Sequence, residues 1–270
     1  MRLNKNVGII GCGNLGESIA NGLLAEGVID AGQLWVSKRK PENLAHLKNQ
    51  GVHVHSSNEE LIHNCELIVV ALKPYTILEE LSKNKNLFDS NQHCIISVAT
   101  GISLSELQNA VGSGISVYRA MPNTGADVGT SLTCISSLES ETKHMEEVQG
   151  LFNSIGETVV IGEDLMNAST VLGACGIAYV LRFMRAMIQG GVQIGFDAET
   201  ATKVVAQTVK GASELIIQNQ RHPEEEIDRV TTPRGCTITG LNEMEHQGLS
   251  SSLIKGLNAS FDKINEIAKQ

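Results

Sequence analysis

Six residues near the start, Gly11-Cys12-Gly13-Asn14-Leu15-Gly16, limit what the chain can fold into more than any other part of it. They follow a short apolar run, Val7–Ile10, that reads as a strand. They open an amphipathic stretch, Ser18–Leu24, that reads as a helix. A strand that turns at once into a helix needs glycine for three separate reasons. The first makes the tight turn, the second lets a pyrophosphate approach the backbone, and the third lets helix and strand pack closely. Unpaired N–H groups and the helix dipole then favour negative charge at the turn. The motif predicts a dinucleotide-binding unit, with Gly11, Gly13, Asn14, Leu15 and Gly16 around the diphosphate.

The residues that follow fit that frame. Leu34–Ser37, Leu67–Ala71, Cys94–Ala99, Val117–Met121, Ser131–Ile135 and Val159–Ile161 read as further strands. Their Val and Ile content, without alternation, suits strands buried on both faces of a mostly parallel sheet. Leu15–Glu26, Pro41–Gln50, Asn58–Asn64, Ile77–Ser82 and Ser103–Val111 read as helices between them, Ser103-x-x-Glu106 being a capping-box start. The expected fold is α/β: an N-terminal Rossmann-type, doubly wound parallel sheet over residues 1–162. Beyond Gly162 strand patterns stop. An all-helical domain over 163–270 is expected, with Asp197 capping one helix and Ser250 opening the last. Its segments 165–194, 197–219 and 253–268 carry more apolar surface than they can cover among themselves, which predicts a dimerisation domain.

The end of the second strand selects the cofactor. Enzymes that use NAD usually carry an acidic residue there to hold the ribose 2′-hydroxyl. This chain has Ser37-Lys38-Arg39-Lys40. A hydroxyl and cations suit a 2′-phosphate, which an arginine reads through charge-assisted hydrogen bonds. NADP is therefore the expected cofactor, with Ser37, Lys38 and Arg39 in its site.

Other features exclude alternatives. A formal net charge of −9 argues against nucleic acid, whose phosphates call for a basic face. No secretory leader pattern precedes Val7, and Leu165–Leu181 reads as a buried helix rather than a membrane span. The cysteines at 12, 65, 94, 134, 175 and 236 are scattered without metal-ligand spacing, so they read as small buried thiols in a reducing compartment, most simply the cytoplasm. His53 and His55 share one side of a possible strand but lack companions for a metal, and read as surface residues.

Several segments, taken together, resemble the pyrroline-5-carboxylate reductase family. They are Ile10–Leu24, Val70-Ala-Leu-Lys-Pro74, Ser97–Ile102, Arg119-Ala-Met-Pro-Asn-Thr124, Gly190–Gly195, Ala206–Ala212, His222-Pro223 and, most specific, Asp228–Leu241. The resemblance spans nearly the whole chain. It implies reduction of a cyclic imino acid, 1-pyrroline-5-carboxylate, to proline with hydride from NADPH. It places Asn58 on the adenosine side of the cofactor, Ala71, Lys73 and Pro74 along its groove, and Ala99 and Asn123 beneath the nicotinamide. It places the substrate on Thr232, Gly235, Cys236 and Thr237, with Thr237 bonding the imine nitrogen. It also implies an intertwined homodimer, or a larger ring, in which each site borrows the loop near Thr237 from a neighbour.

Two segments depart from the family. Gly173-Ala-Cys-Gly-Ile-Ala-Tyr179 stands where the family has a serine- and proline-containing run, and Arg234-Gly235 replaces paired glycines. Two further readings therefore fit the same frame. One is an imine or keto-acid reductase in which Arg234 meets a different carboxylate. The other is an NADP-binding paralogue that acts through assembly or ligand sensing.

Overall fold

A computed structural model describes residues 2–138 and 143–267. By contact the chain divides into two compact units. One is the chain up to Ile177 together with its end from Phe261, and the other is Ala178–Ser260. The division falls inside two helices, later than the change of sequence character at Gly162.

In the first unit β1 (Val7–Ile10) feeds α1 (Asn14–Ala25), and β2 (Leu34–Ser37) follows. Next come α2 (Ala45–Asn49), β3 (His53–His55), α3 (Glu59–Asn64), β4 (Leu67–Val70), α4 (Pro74–Lys83) and β5 (Cys94–Ser97). Then α5 (Leu104–Val111), β6 (Ser116–Met121), β7 (Ser131–Ser137), α6 (Met145–Phe152) and β8 (Gly156–Val160) complete the sheet region. Ser103 caps α5 with the reciprocal Glu106 contact expected of its spacing. The strands form one sheet in the order β3-β2-β1-β4-β5-β6-β7-β8. It is parallel through β6, and β7 runs antiparallel to β6.

β1, β4, β5 and β6 are buried along their whole length because helices cover both faces. On one face Ile9, Ile19, Leu23, Leu47 and Phe152 pack together, and on the other Ile10, Ile68, Leu61, Ile77 and Leu107 do. Each such side chain taken from water is worth about 1.5–3 kcal/mol. The sheet is the doubly wound one the sequence predicts.

Local differences have local causes. β3 is a three-residue edge strand, formed where the sequence offers a possible strand with His53 and His55 on one side. His53 and His55 stack on Trp35 with ring centroids 4.0 and 5.1 Å apart, so packing as well as solvent holds them. The helix expected from Ile77 begins at Pro74, whose fixed φ suits a first helical turn. α6 carries too short an apolar stripe to stand out. β8 starts at Gly156 and is largely exposed, so two-sided burial does not extend to that edge. Cys12, Cys65 and Cys94 are buried as expected, but Cys134 and Cys175 are half-buried and Cys236 is exposed.

After β8 come α7 (Met166–Ser169), a π turn at Thr170–Cys175 and α8 (Gly176–Gln193). The π turn covers part of the segment that departs from the family pattern, a common place for such turns being a functional site. The second unit continues α8 and adds α9 (Ala198–Asn219), α10 (Pro223–Val230), α11 (Cys236–His246) and α12 (Leu249–Ile267). Asp197 caps α9 by accepting from the Thr200 amide, and α12 opens at Leu249, one residue before the expected Ser250. Tyr179 and Ser260 hydroxyls meet at 2.6 Å, tying α8 to α12.

The helix read as buried in Leu165–Leu181 is not buried in a single chain. Leu172 is 68% exposed and Leu181 57%. The run Glu163–Gln193 is also long and apolar enough, by length and composition, to cross a membrane. The sequence marked the apolar stripe correctly, but periodicity does not say which molecule covers it.

Candidate active site

The residues predicted to bind the nucleotide gather where the sheet order reverses. Ile10 of β1 lies opposite Ser37 and Val70, Val70 opposite Ser97, and Ser97 opposite Arg119. One step past this row, at the carboxyl ends of the strands, come Gly11, Lys38 and Ala71, with Ala99 and Asn123 following β5 and β6. Ligands of open α/β sheets bind at such a switch point.

Each glycine of the turn meets the requirement read from its position. Gly11 has φ +83°, and a Cβ there would lie 2.6 Å from Leu72 and 2.9 Å from the Ala71 carbonyl oxygen. Gly13 faces open space, its nearest would-be contact being 3.9 Å away. A Cβ at Gly16 would press on Ile9 at 3.1 Å. No side chain caps α1, so the amides of Asn14 and Leu15 stand at a bare helix start. An anion approaching over Gly13 meets N–H donors and no Cβ. The cradle fits a dinucleotide pyrophosphate.

The rest of that edge is braced by hydrogen bonds. Amides of Gly11 and Cys12 donate to the Ser37 carbonyl at 3.1 and 2.8 Å, locking the basic turn beside the glycine loop. The Ser37 hydroxyl donates to Asn58 Oδ1 at 2.5 Å, and Asn58 Nδ2 donates to Glu80 at 2.6 Å. Arg39 is exposed and has no ion-pair partner among the described residues. The Ala71 amide donates to the Ile10 carbonyl at 2.8 Å, while Lys73 and Pro74 start α4. Ala99 is buried. Asn123 donates its amide to the Ser131 hydroxyl at 3.0 Å and caps the turn after β6 through Gly125 at 2.8 Å. Beneath, Arg119 is buried and pairs with Glu163 at 3.1 Å, burial pulling its guanidinium below the usual arginine range. Burial likewise pushes the Cys12 thiol up to about 12, with Glu17 adding to the shift and Lys38 opposing it.

The predicted substrate residues lie in the second unit, on the turn between α10 and α11. The Gly235 amide donates to the Thr232 carbonyl at 2.9 Å. Pro233 follows Thr232, and Arg234 has φ +61°. These are the marks of a type II turn with arginine in the position that favours glycine. Gly235 is required, since a Cβ there would meet the Thr232 hydroxyl at 2.5 Å and its carbonyl oxygen at 2.9 Å. No side chain caps α11, so the amides of Cys236 and Thr237 are free to meet a small anion. Upstream, Glu226 accepts from Arg229 at 2.9 Å and from Asn219 at 3.1 Å, joining the end of α9 to α10.

Comparison with known proteins places the chain. Residues 163–267 match a family described as pyrroline-5-carboxylate reductase dimerisation, and residues 6–101 match one described as NADP oxidoreductase, coenzyme F420-dependent. Pyrroline-5-carboxylate reductase 2 of Dictyostelium discoideum is 38% identical over 97% of this chain and 93% of its own length. The Escherichia coli enzyme is 30% identical over 99% and 100%. The chain belongs to the pyrroline-5-carboxylate reductase family. Reductase 1 of D. discoideum is 40% identical over the entire chain, which spans 51% of that relative. Among solved structures, the Plasmodium falciparum pyrroline carboxylate reductase with NADP bound has a TM-score of 0.89 at 28% identity, covering 99% of this chain and all of that one. The Coxiella burnetii reductase has a TM-score of 0.91 at 27% identity, with the same coverage.

Within the family frame, sequence reading had no means of finding several supporting residues. Glu80 behind Asn58 and Glu163 behind Arg119 act across tens of residues, and Ser131 reaches Asn123 from the next strand. Glu17, which lies against both Lys38 and His46, carries no signal in the sequence because an acid in a first helical turn is ordinary. Arg234 was singled out as a departure, and its backbone now has a measurable consequence. Arg234→Gly is expected to raise stability by about 0.5–1 kcal/mol, the left-handed penalty less the entropy cost of glycine. A urea midpoint that falls instead would mean the arginine side chain repays its strain.

Proposed function

We propose that the protein reduces 1-pyrroline-5-carboxylate to proline, the last step of proline biosynthesis, using NADPH. The observation that carries the reading is the uncapped start of α11, delivered by a tight turn with Thr237 in the first helical turn. Amides of Cys236 and Thr237, with the Thr232 hydroxyl, suit the substrate carboxylate. The Thr237 hydroxyl bonds the imine nitrogen. Bound NADPH supplies the hydride. A protonated cyclic imine is already electrophilic, so the side chains orient the substrate and exclude water rather than activate it. Anaerobic mixing of NADPH with pyrroline-5-carboxylate, followed at the reduced-nicotinamide absorbance, tests the reading. Prompt oxidation supports it, and binding without turnover removes it. A response restricted to other imines or keto acids favours the second reading, which Arg234 in the substrate turn supports.

NADP(H) is the cofactor, and Lys38 and Arg39 hold its 2′-phosphate. Replacing Arg39 by alanine is expected to weaken NADPH by about 1.5–3 kcal/mol, the worth of a hydrogen bond to a charged group, with NADH nearly unaffected. Equal loss for both would clear the turn of that role. Asn58, Ala71, Lys73, Pro74, Ala99 and Asn123 line the remaining groove. The scattered cysteines support a reducing compartment, most simply the cytoplasm.

The exposed apolar stripe of α8 and α9 supports a homodimer, with residues 163–267 acting as the dimerisation region and the Thr237 loop completing a neighbour's site. Light scattering over a concentration series is expected to give a dimer or larger assembly at every concentration that retains activity. An active monomer would end the shared-site reading.

A further inference from the structure

A carboxylate stands among the cations at the edge of the nucleotide site. Glu17 lies in the first turn of α1, its Oε1 3.1 Å from His46 Nε2 and its Oε2 4.0 Å from Lys38 Nζ. Its side chain is 30% exposed, that of Lys38 27% and that of His46 46%, so solvent screens the cluster only in part. The position is fixed from both sides, because Ser37 is held to the glycine loop by two backbone hydrogen bonds and Glu17 sits on the helix that loop opens. A phosphate read by Lys38 must therefore share that lysine with an existing anion. Exposed Lys–Glu pairs contribute little to holding a side chain in place. Repulsion between the carboxylate and a dianionic phosphate drawn to the same lysine is the larger effect, because it acts directly on affinity.

We infer that Glu17 is a specificity-determining residue that weakens binding of the 2′-phosphorylated dinucleotide relative to the unphosphorylated one, and that His46 offsets this by drawing the carboxylate away from Lys38. The inference rests on the reading of Lys38 and Arg39 as the 2′-phosphate site. A purely structural Glu17, favouring the helix dipole, would alter stability but not the ratio of the two affinities.

Calorimetric titration of the full chain with NADP⁺ and with NAD⁺ tests it, in wild type, Glu17→Gln, Glu17→Ala, His46→Gln and Glu17→Gln/His46→Gln. Both Glu17 variants should tighten NADP⁺ by roughly threefold to tenfold while NAD⁺ moves less than about twofold. His46→Gln should weaken NADP⁺ by about twofold to fivefold, and only while Glu17 is present, so the double variant should match Glu17→Gln. Weaker NADP⁺ binding in Glu17→Gln, or equal shifts for both dinucleotides, would overturn the inference. Equal affinities for NADP⁺ and NAD⁺ in both the wild type and Glu17→Gln would overturn the basic-turn reading beneath it. A wild type that does distinguish them, with a ratio unchanged in Glu17→Gln, removes the role of Glu17 alone.

Discussion

Thr237→Val is expected to lower kcat/KM for pyrroline-5-carboxylate by roughly 5- to 150-fold, corresponding to about 1–3 kcal/mol, with NADPH affinity unchanged. Valine keeps the shape of threonine and leaves the free amides of the first turn of α11 in place. What it removes is one hydroxyl, so the imine nitrogen loses its partner while the carboxylate keeps its own. The loss should fall on kcat at least as much as on KM, since misorientation of the imine affects the transition state more than the ground state. Steady-state kinetics with a separate NADPH titration gives both quantities. An unchanged kcat/KM would take Thr237 out of the site.

Gly156→Ala is expected to destabilise the first unit by about 3 kcal/mol or more, from backbone strain and steric overlap together. Gly156 has φ +147° at the start of β8, where its Cα lies opposite Ser131. A methyl group there would overlap the Ser131 carbonyl oxygen and come within 2.5 Å of its amide nitrogen. Backbone cannot step aside as a flexible side chain can. Ser131 also holds the amide of Asn123, so the strain reaches the turn after β6 that is proposed to line the cofactor groove. Thermal unfolding should show a midpoint several degrees lower, and the surviving folded fraction should bind NADPH more weakly. A midpoint equal to that of wild type would mean β8 relaxes freely.

Much of this was legible because the requirements are local. Gly11, Gly13 and Gly16 fall at fixed spacing in one strand–turn–helix unit, and Ser103 with Glu106 closes a cap within four residues. Asp197 does the same for α9. The basic turn was legible because it follows a strand directly. What the sequence hid depends on distant chain. Ser37, Asn58 and Glu80 form one hydrogen-bonded line from three separate elements. Arg234 drew attention by identity, but only its φ shows that the turn holds it where glycine would be favoured. The stripe on α8 was read as inward-facing because periodicity is the same whether a helix packs on its own chain or on another surface.

The contrast between Cys12 and Cys236 bears on chemical modification. Thiolate, not thiol, attacks alkylating reagents and oxidants. Cys12 lies in the glycine loop proposed to cradle the cofactor, yet burial keeps it protonated at neutral pH and out of reach of reagents. Cys236 is exposed, one residue before Thr237. An electrophile or peroxide is therefore expected to meet Cys236 before Cys12. With the first turn of α11 proposed as the substrate carboxylate site, oxidative injury is expected to spare coenzyme binding and lower substrate affinity, with substrate protecting and NADPH not.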